Sequence, residues 1–165
     1  MKLKTSLPAR SFLLSGLLVL TLAQAGANPN AKEYVTLGTI KPIQLKQGGK
    51  QEVSIPATIL KGHHIQANPA TLPNLIATEL SLEPISGLEL GSPSYPKSKP
   101  WRLMSAGKVI QTYEGSVVFK IGLNAKTLAP GKYEIKGSLR YQACDEKNCF
   151  FPTSAPIAIP LTVVK

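Results

Sequence analysis

Beyond residue 23 the 165-residue sequence has no apolar run long enough to cross a bilayer, and it holds few acids, few aromatics and two cysteines. The one apolar run, Phe12 to Ala23, falls short of the roughly 20 residues a membrane-spanning helix needs. It follows Lys2, Lys4 and Arg10 and ends in the small residues "AQAGA", the pattern of a secretory leader cleaved after Ala25 or Ala27. Neither cysteine lies at that junction, which argues against a lipoprotein leader. The expected product is an exported, soluble chain. Acids are scarce, 9 against 19 Lys and Arg, for a formal charge of +10. The excess is spread thinly over Lys41, Lys46, Lys50, Lys61, Lys97, Lys99, Lys120, Lys132 and Lys136, without interleaved aromatics. That spacing suits solvated strand faces and not a nucleic-acid groove.

Helix is nearly absent. The one stretch open to it, "WRLMSAGKVIQTY", has Gly107 inside and no clean apolar stripe. What the sequence does have is period 2. Val53, Ile55, Ala57 and Ile59 share one face, as do Ile76, Thr78, Leu80 and Leu82. So do Val117, Phe119, Ile121 and Leu123; Tyr133, Ile135, Leu139 and Tyr141; and Ile157, Ile159, Leu161 and Val163. Turn chemistry falls between these runs, "LGTIKPIQL" and "GLELGS" are weaker strand candidates, and Pro56 and Pro160 are expected at edges or bulges. The reading is a leader over 1–27, a linker over 28–36, and one all-β domain over 37–165, an antiparallel immunoglobulin-like β-sandwich.

The cysteines stand in "RYQACDEKNCFFP", and an exported chain with an even count normally pairs them. Three readings compete. As a staple the pair is weak, because closing so small a ring constrains the unfolded chain by only about 2 kcal/mol. As a metal clip Cys144 and Cys149 would recruit His63 and His64, but neighbouring strand residues face opposite ways and do not readily share an ion. As an exchangeable disulfide the pair fits best: continuing the alternation through Tyr141 and Ala143 gives Cys144 the outward parity of Arg140 and Gln142, which predicts a sulfur reachable from solvent. Cysteine–histidine hydrolysis is weaker still, since Cys149 is placed to oxidise the nucleophile.

"YQAC", a short polar insert, then cysteine, aromatic and proline, supported by "GHHIQANP" and "SYP", resembles the N-terminal periplasmic domain of the thiol:disulfide interchange protein DsbD and its free-standing relatives, over roughly Leu37 to Val164. The resemblance implies an immunoglobulin-like sandwich in which Cys144 and Cys149 are the redox pair. It implies that Cys144 enters mixed disulfides and Cys149 resolves them. It also implies that Tyr141 and Gln142 shape the pocket and that Phe150 and Phe151 form an apolar rim, with core or edge packing the alternative for each of the four. The best-known long form has a cysteine spacing one residue wider, and shields its disulfide with a loop bearing an aromatic residue and nearby carboxylates. The matching segment here, "KSKPWRLMSAGKVIQT", has no acid, so Trp101, Leu103 or Met104 would serve as cap. Asp145 and Glu146 would raise a neighbouring thiol's pKa while Lys147 and Arg140 oppose them.

The expected function is an exported electron relay, an oxidoreductase component that needs no cofactor, metal or small-molecule substrate. Its expected partners are a membrane-embedded reductant acting in trans and exported thioredoxin-like proteins. The competing expectation is a binding or assembly module whose disulfide only ties a hairpin, since sandwiches host many functions.

Overall fold

The computed structural model describes residues 33–165; the expected leader and the first part of the expected linker lie outside them. The described strands are, in chain order, β1 (Val35–Leu37), β2 (Ile43–Lys46), β3 (Lys50–Ile59), β4 (His64–Gln66), β5 (Glu79–Leu82), β6 (Glu89–Leu90), β7 (Lys99–Leu103), β8 (Lys108–Tyr113), β9 (Ser116–Asn124), β10 (Gly131–Tyr141), β11 (Ala143–Cys144) and β12 (Thr153–Val164). β1 begins inside the stretch expected as linker.

Two four-stranded sheets, β1-β3-β9-β6 and β2-β12-β10-β5, make the immunoglobulin-like sandwich. Their long strands bury alternate residues, as the period predicts. Val53, Ile55, Ala57 and Ile59 of β3 with Phe119, Ile121 and Leu123 of β9 meet Ile135 and Leu139 of β10 and Ile157, Ile159, Leu161 and Val163 of β12 in one core. Each fully buried aliphatic side chain there is worth about 1.5–3 kcal/mol. Phe119 sits at the centre, with the rings of Tyr113 and Tyr95 edge-on at 5.8 and 6.1 Å.

The prolines obey a local rule. Pro160 and Pro156 pair with β10 on one side, while β2 joins the other side of β12 only from Leu161 onward. Pro56 likewise lies just past the last β1 pair, Leu37 with Ala57. Each missing N–H therefore falls where the flanking ladder has ended. The sandwich is not wholly antiparallel, because β2 runs parallel to β12. Parallel neighbours need a long connection, and nearly the whole described chain lies between these two.

A third sheet, β11-β4-β8-β7, was not anticipated from the sequence. Its outer half is the stretch that had been open to helix: β7 and β8 form a hairpin joined by a 3-10 turn at Met104–Ala106 and closed by Gly107 at φ 61°, a left-handed conformation that glycine adopts without strain. β5 is shorter than expected. Ile76 precedes it because its backbone N–H is taken by a side chain of the candidate site.

Candidate functional site

The third sheet positions the cysteines. β11 pairs with β4 through Ala143 with Ile65 and Cys144 with His64, and β4 pairs with β8 through Ile65 with Tyr113 and Gln66 with Thr112. Because strand faces alternate, Ala143, Ile65 and Tyr113 share one face and enter the main core. Cys144, His64, Gln66, Thr112 and, on the hairpin, Ile110, Trp101 and Leu103 share the other.

That second face is not wet. Leu75, Leu103 and Ile110 form a separate buried cluster, and Ala70, Leu72, Trp101 and Cys149 pack against it. Cys144 is consequently 0% exposed. The sequence expectation of a solvent-reachable Cys144 is thus corrected: its parity is as read, but the outward face is roofed by the hairpin and by the 67–78 loop. Cys149 is the partly exposed residue of the pair.

The two cysteines are disulfide-bonded, with Cα atoms 4.0 Å apart, and face each other across an isolated antiparallel bridge. The ring between them is a tight turn held by Asp145, whose Oδ1 accepts the backbone N–H of Lys147 at 2.8 Å and of Asn148 at 2.7 Å. Those two bonds hold the Asp145 carboxyl below its ordinary pKa, with the charges of His63 and Lys147 adding to the effect. Asp145 is thereby committed to the turn.

Two glutamines bind the site together. Gln142 Oε1 accepts the N–H of Ile76 at 2.8 Å, its Nε2 donates to the carbonyl of Phe150 at 3.1 Å, and its backbone carbonyl accepts the N–H of Gln66 at 3.1 Å. Gln66 is 0% exposed and its Nε2 donates to Cys144 Sγ at 3.1 Å. Asn68, after Gln66, donates through its side chain to the Thr78 carbonyl at 2.8 Å and through its backbone N–H to the Tyr113 hydroxyl at 3.0 Å.

The other sequence-selected residues divide. Tyr141 is buried in the main core, where burial pushes its phenol above the ordinary pKa against opposing backbone contacts from Tyr34 and Val35. Phe150 is half-buried and stacks on Tyr34 at 4.7 Å, with the His63 ring 5.0 Å from Tyr34. Phe151 is 95% exposed. Trp101 lies in the capping cluster and stacks on His64 at 4.2 Å. Leu103 joins that cluster, whereas Met104, the third cap candidate, is exposed. His64 Nδ1 lies 3.5 Å from Glu114 Oε2; burial holds the imidazole below its ordinary pKa, the Glu114 carboxylate opposes that, and His63 reinforces it. The two histidine rings thus have separate partners, and among the described residues no group of three or more His, Cys, Asp or Glu side chains could hold a metal ion. Sequence reasoning missed Gln66; its signal was a polar residue set between Ile65 and Ala67 in "GHHIQANP".

Truncating the cap tests its role. Trp101→Ala should cost about 1–2 kcal/mol, part of a fully buried aromatic's worth. It should also speed reduction of the disulfide by dithiothreitol, read by alkylation of freed thiols. An unchanged rate would mean that the indole does not limit access to Cys149.

Comparison with curated proteins found no match. Among solved structures, the N-terminal periplasmic domain of ScsB from Proteus mirabilis is similar at 15% identity and a TM-score of 0.47, over 76% of this chain and 44% of that one. This chain thus spans less than half of that structure's length. The reduced N-terminal domain of DsbD from Neisseria meningitidis is similar at 20% identity and a TM-score of 0.45, over 65% of this chain and 74% of that one. A type I cohesin of ScaB from Pseudobacteroides cellulosolvens reaches 15% identity and 0.45, over 79% and 92%. These likenesses are distant, and a sandwich alone names no function. The family model described as thiol:disulfide interchange protein DsbD, N-terminal, matches residues 32–160, which takes in both cysteines, both glutamines and the capping hairpin. With most of its sequence inside that match, the chain belongs to the DsbD N-terminal domain family.

Proposed function

We propose that the protein is an exported, periplasmic thiol–disulfide exchange domain that relays two electrons through Cys144 and Cys149, from a membrane-embedded thiol donor to thioredoxin-like acceptors. The observation that carries the reading is the bond's setting: one cysteine fully buried, the other a partly exposed residue on a polar turn, in a chain of this family. No helix among the described residues is long and apolar enough to cross a membrane.

Burial supports roles in the opposite order to that implied by the sequence resemblance, with Cys149 exchanging and Cys144 resolving. A donor thiolate attacks the Sγ of Cys149, the bond to Cys144 breaks, and its electron pair leaves on Cys144 Sγ. A second donor thiolate then attacks the mixed disulfide, becoming oxidised, and releases Cys149 as thiolate; two protons complete the dithiol. Delivery to an acceptor disulfide is the reverse sequence, begun by the Cys149 thiolate. Exposed Phe151 offers a partner an apolar contact two residues from Cys149.

The test is the reduction potential of the pair, measured by equilibrating the protein in graded thiol buffers and counting free thiols by alkylation. A midpoint of about −180 to −270 mV is expected, where exchange proteins work. A value below about −300 mV belongs to structural disulfides and would overturn the relay in favour of a binding module.

A further inference from the structure

The amide of Gln66 is the feature of the site that packing does not explain. Its side chain is fully buried, its Nε2 donates to Cys144 Sγ at 3.1 Å, and its Oε1 is buried with no hydrogen-bond partner. An orphaned amide oxygen in the interior is unfavourable, so an apolar residue of the same size would be the better choice for stability alone. The backbone gives it no freedom to escape. β4 lies between β11 and β8, the Gln66 N–H goes to the Gln142 carbonyl at 3.1 Å, and the Gln66 carbonyl accepts Thr78 Oγ1 at 2.6 Å.

We infer that Gln66 is a catalytic residue of the exchange: its amide N–H stabilises the thiolate that Cys144 becomes when Cys149 is attacked. This rests on the exchange reading above and deepens it. When a donor thiolate bonds to Cys149 Sγ, the departing electron pair comes to rest on Cys144 Sγ, which is 0% exposed. Water cannot solvate that charge, and burial by itself raises a thiol's pKa and makes it a poor leaving group. A fixed N–H already aimed at the sulfur offsets this without reorganisation at the moment of reaction. The orphaned Oε1 then has a use. Once the thiolate takes up a proton, a half-turn of the carboxamide brings Oε1 to the sulfur as acceptor for the S–H, so one side chain serves both states of the reduced sulfur.

The experiment uses Cys149→Ser, which leaves Cys144 as a lone thiol, and follows thiolate ultraviolet absorbance against pH. Adding Gln66→Met, similar in shape but without a donor, should raise the Cys144 pKa by about one unit, and in the protein with both cysteines should slow exchange with dithiothreitol about tenfold. Adding Gln66→Glu should raise the pKa further, because a carboxylate then faces the thiolate. Thermal melts establish that each variant folds. Within Cys149→Ser the unsubstituted Gln66 supplies a check that needs no change at position 66: its side-chain amide NMR signals should titrate with the Cys144 pKa. Equal pKa values across the series, or amide signals unmoved through the thiol titration, overturn the inference. Neither readout requires a partner protein, so such a failure is separate from a failure of the relay itself, which the reduction potential decides.

Discussion

Cys149→Ser is expected to abolish mixed-disulfide formation, whereas Cys144→Ser should turn the protein into a trap that holds a partner covalently through Cys149. The asymmetry follows from burial: Cys144 is 0% exposed behind the hairpin, and Cys149 packs at the edge of the cap cluster. With Cys144 removed, a mixed disulfide on Cys149 has no neighbouring thiol to resolve it and persists. With Cys149 removed, the remaining sulfur is out of a partner's reach while the cap is closed. The fold should survive both changes, since opening so small a ring costs about 2 kcal/mol in chain entropy. Non-reducing electrophoresis and mass spectrometry of each variant, incubated with a thioredoxin-like dithiol protein in its disulfide form, would decide it. Trapping by Cys149→Ser instead would mean that the cap opens before attack and that Cys144 is the exchanging sulfur.

That assignment differs from the one the sequence implied, and the difference shows what a sequence pattern carries. Alternation along "KYEIKGSLRYQAC" gave the correct faces: Ile135, Leu139, Tyr141 and Ala143 enter the main core and Cys144 points away from it. A face is not an environment. Whether the outward side meets water depends on segments distant in the chain, here Trp101, Leu103 and Ile110 of the hairpin and Leu75 of the loop. The long strands β3, β9, β10 and β12 were legible because each buries one side against a single partner sheet. β4 was not, because Ile65 and Gln66 are both buried, one on each face, and a three-residue strand covered on both sides has no period to read. The same double covering hid the chemistry of Gln66. Trp101 was singled out from the resemblance alone, since nothing in its own neighbourhood announces the hairpin that packs it against Leu75, Leu103 and Ile110.

The largest expected loss of stability near the site is at Gln142, a residue the resemblance placed in a pocket and the structure places in a joint. Its carboxamide fastens the Ile76 N–H of the covering loop at 2.8 Å and the Phe150 carbonyl at the end of the cysteine ring at 3.1 Å. Gln142→Leu keeps the volume and strands both backbone groups. At about 1–3 kcal/mol for each unpaired group, and with both only partly buried, the expected cost is about 2–3 kcal/mol, or a fall in Tm of about 6–12 °C for a domain of this size. Gln142→Glu keeps the acceptor for Ile76 but turns a carboxylate oxygen toward the Phe150 carbonyl in a buried position, so at neutral pH it should cost at least as much. The same joint couples fold to chemistry. Releasing Phe150 loosens the residue next to Cys149, and releasing Ile76 loosens the loop that carries Leu75 into the cap, so reduction by dithiothreitol should accelerate in Gln142→Leu, as is expected for Trp101→Ala. A melt within about 0.5 kcal/mol of wild type, with reduction unchanged, would mean that the loop and the ring are held by packing alone and that Gln142 is not the tether between them.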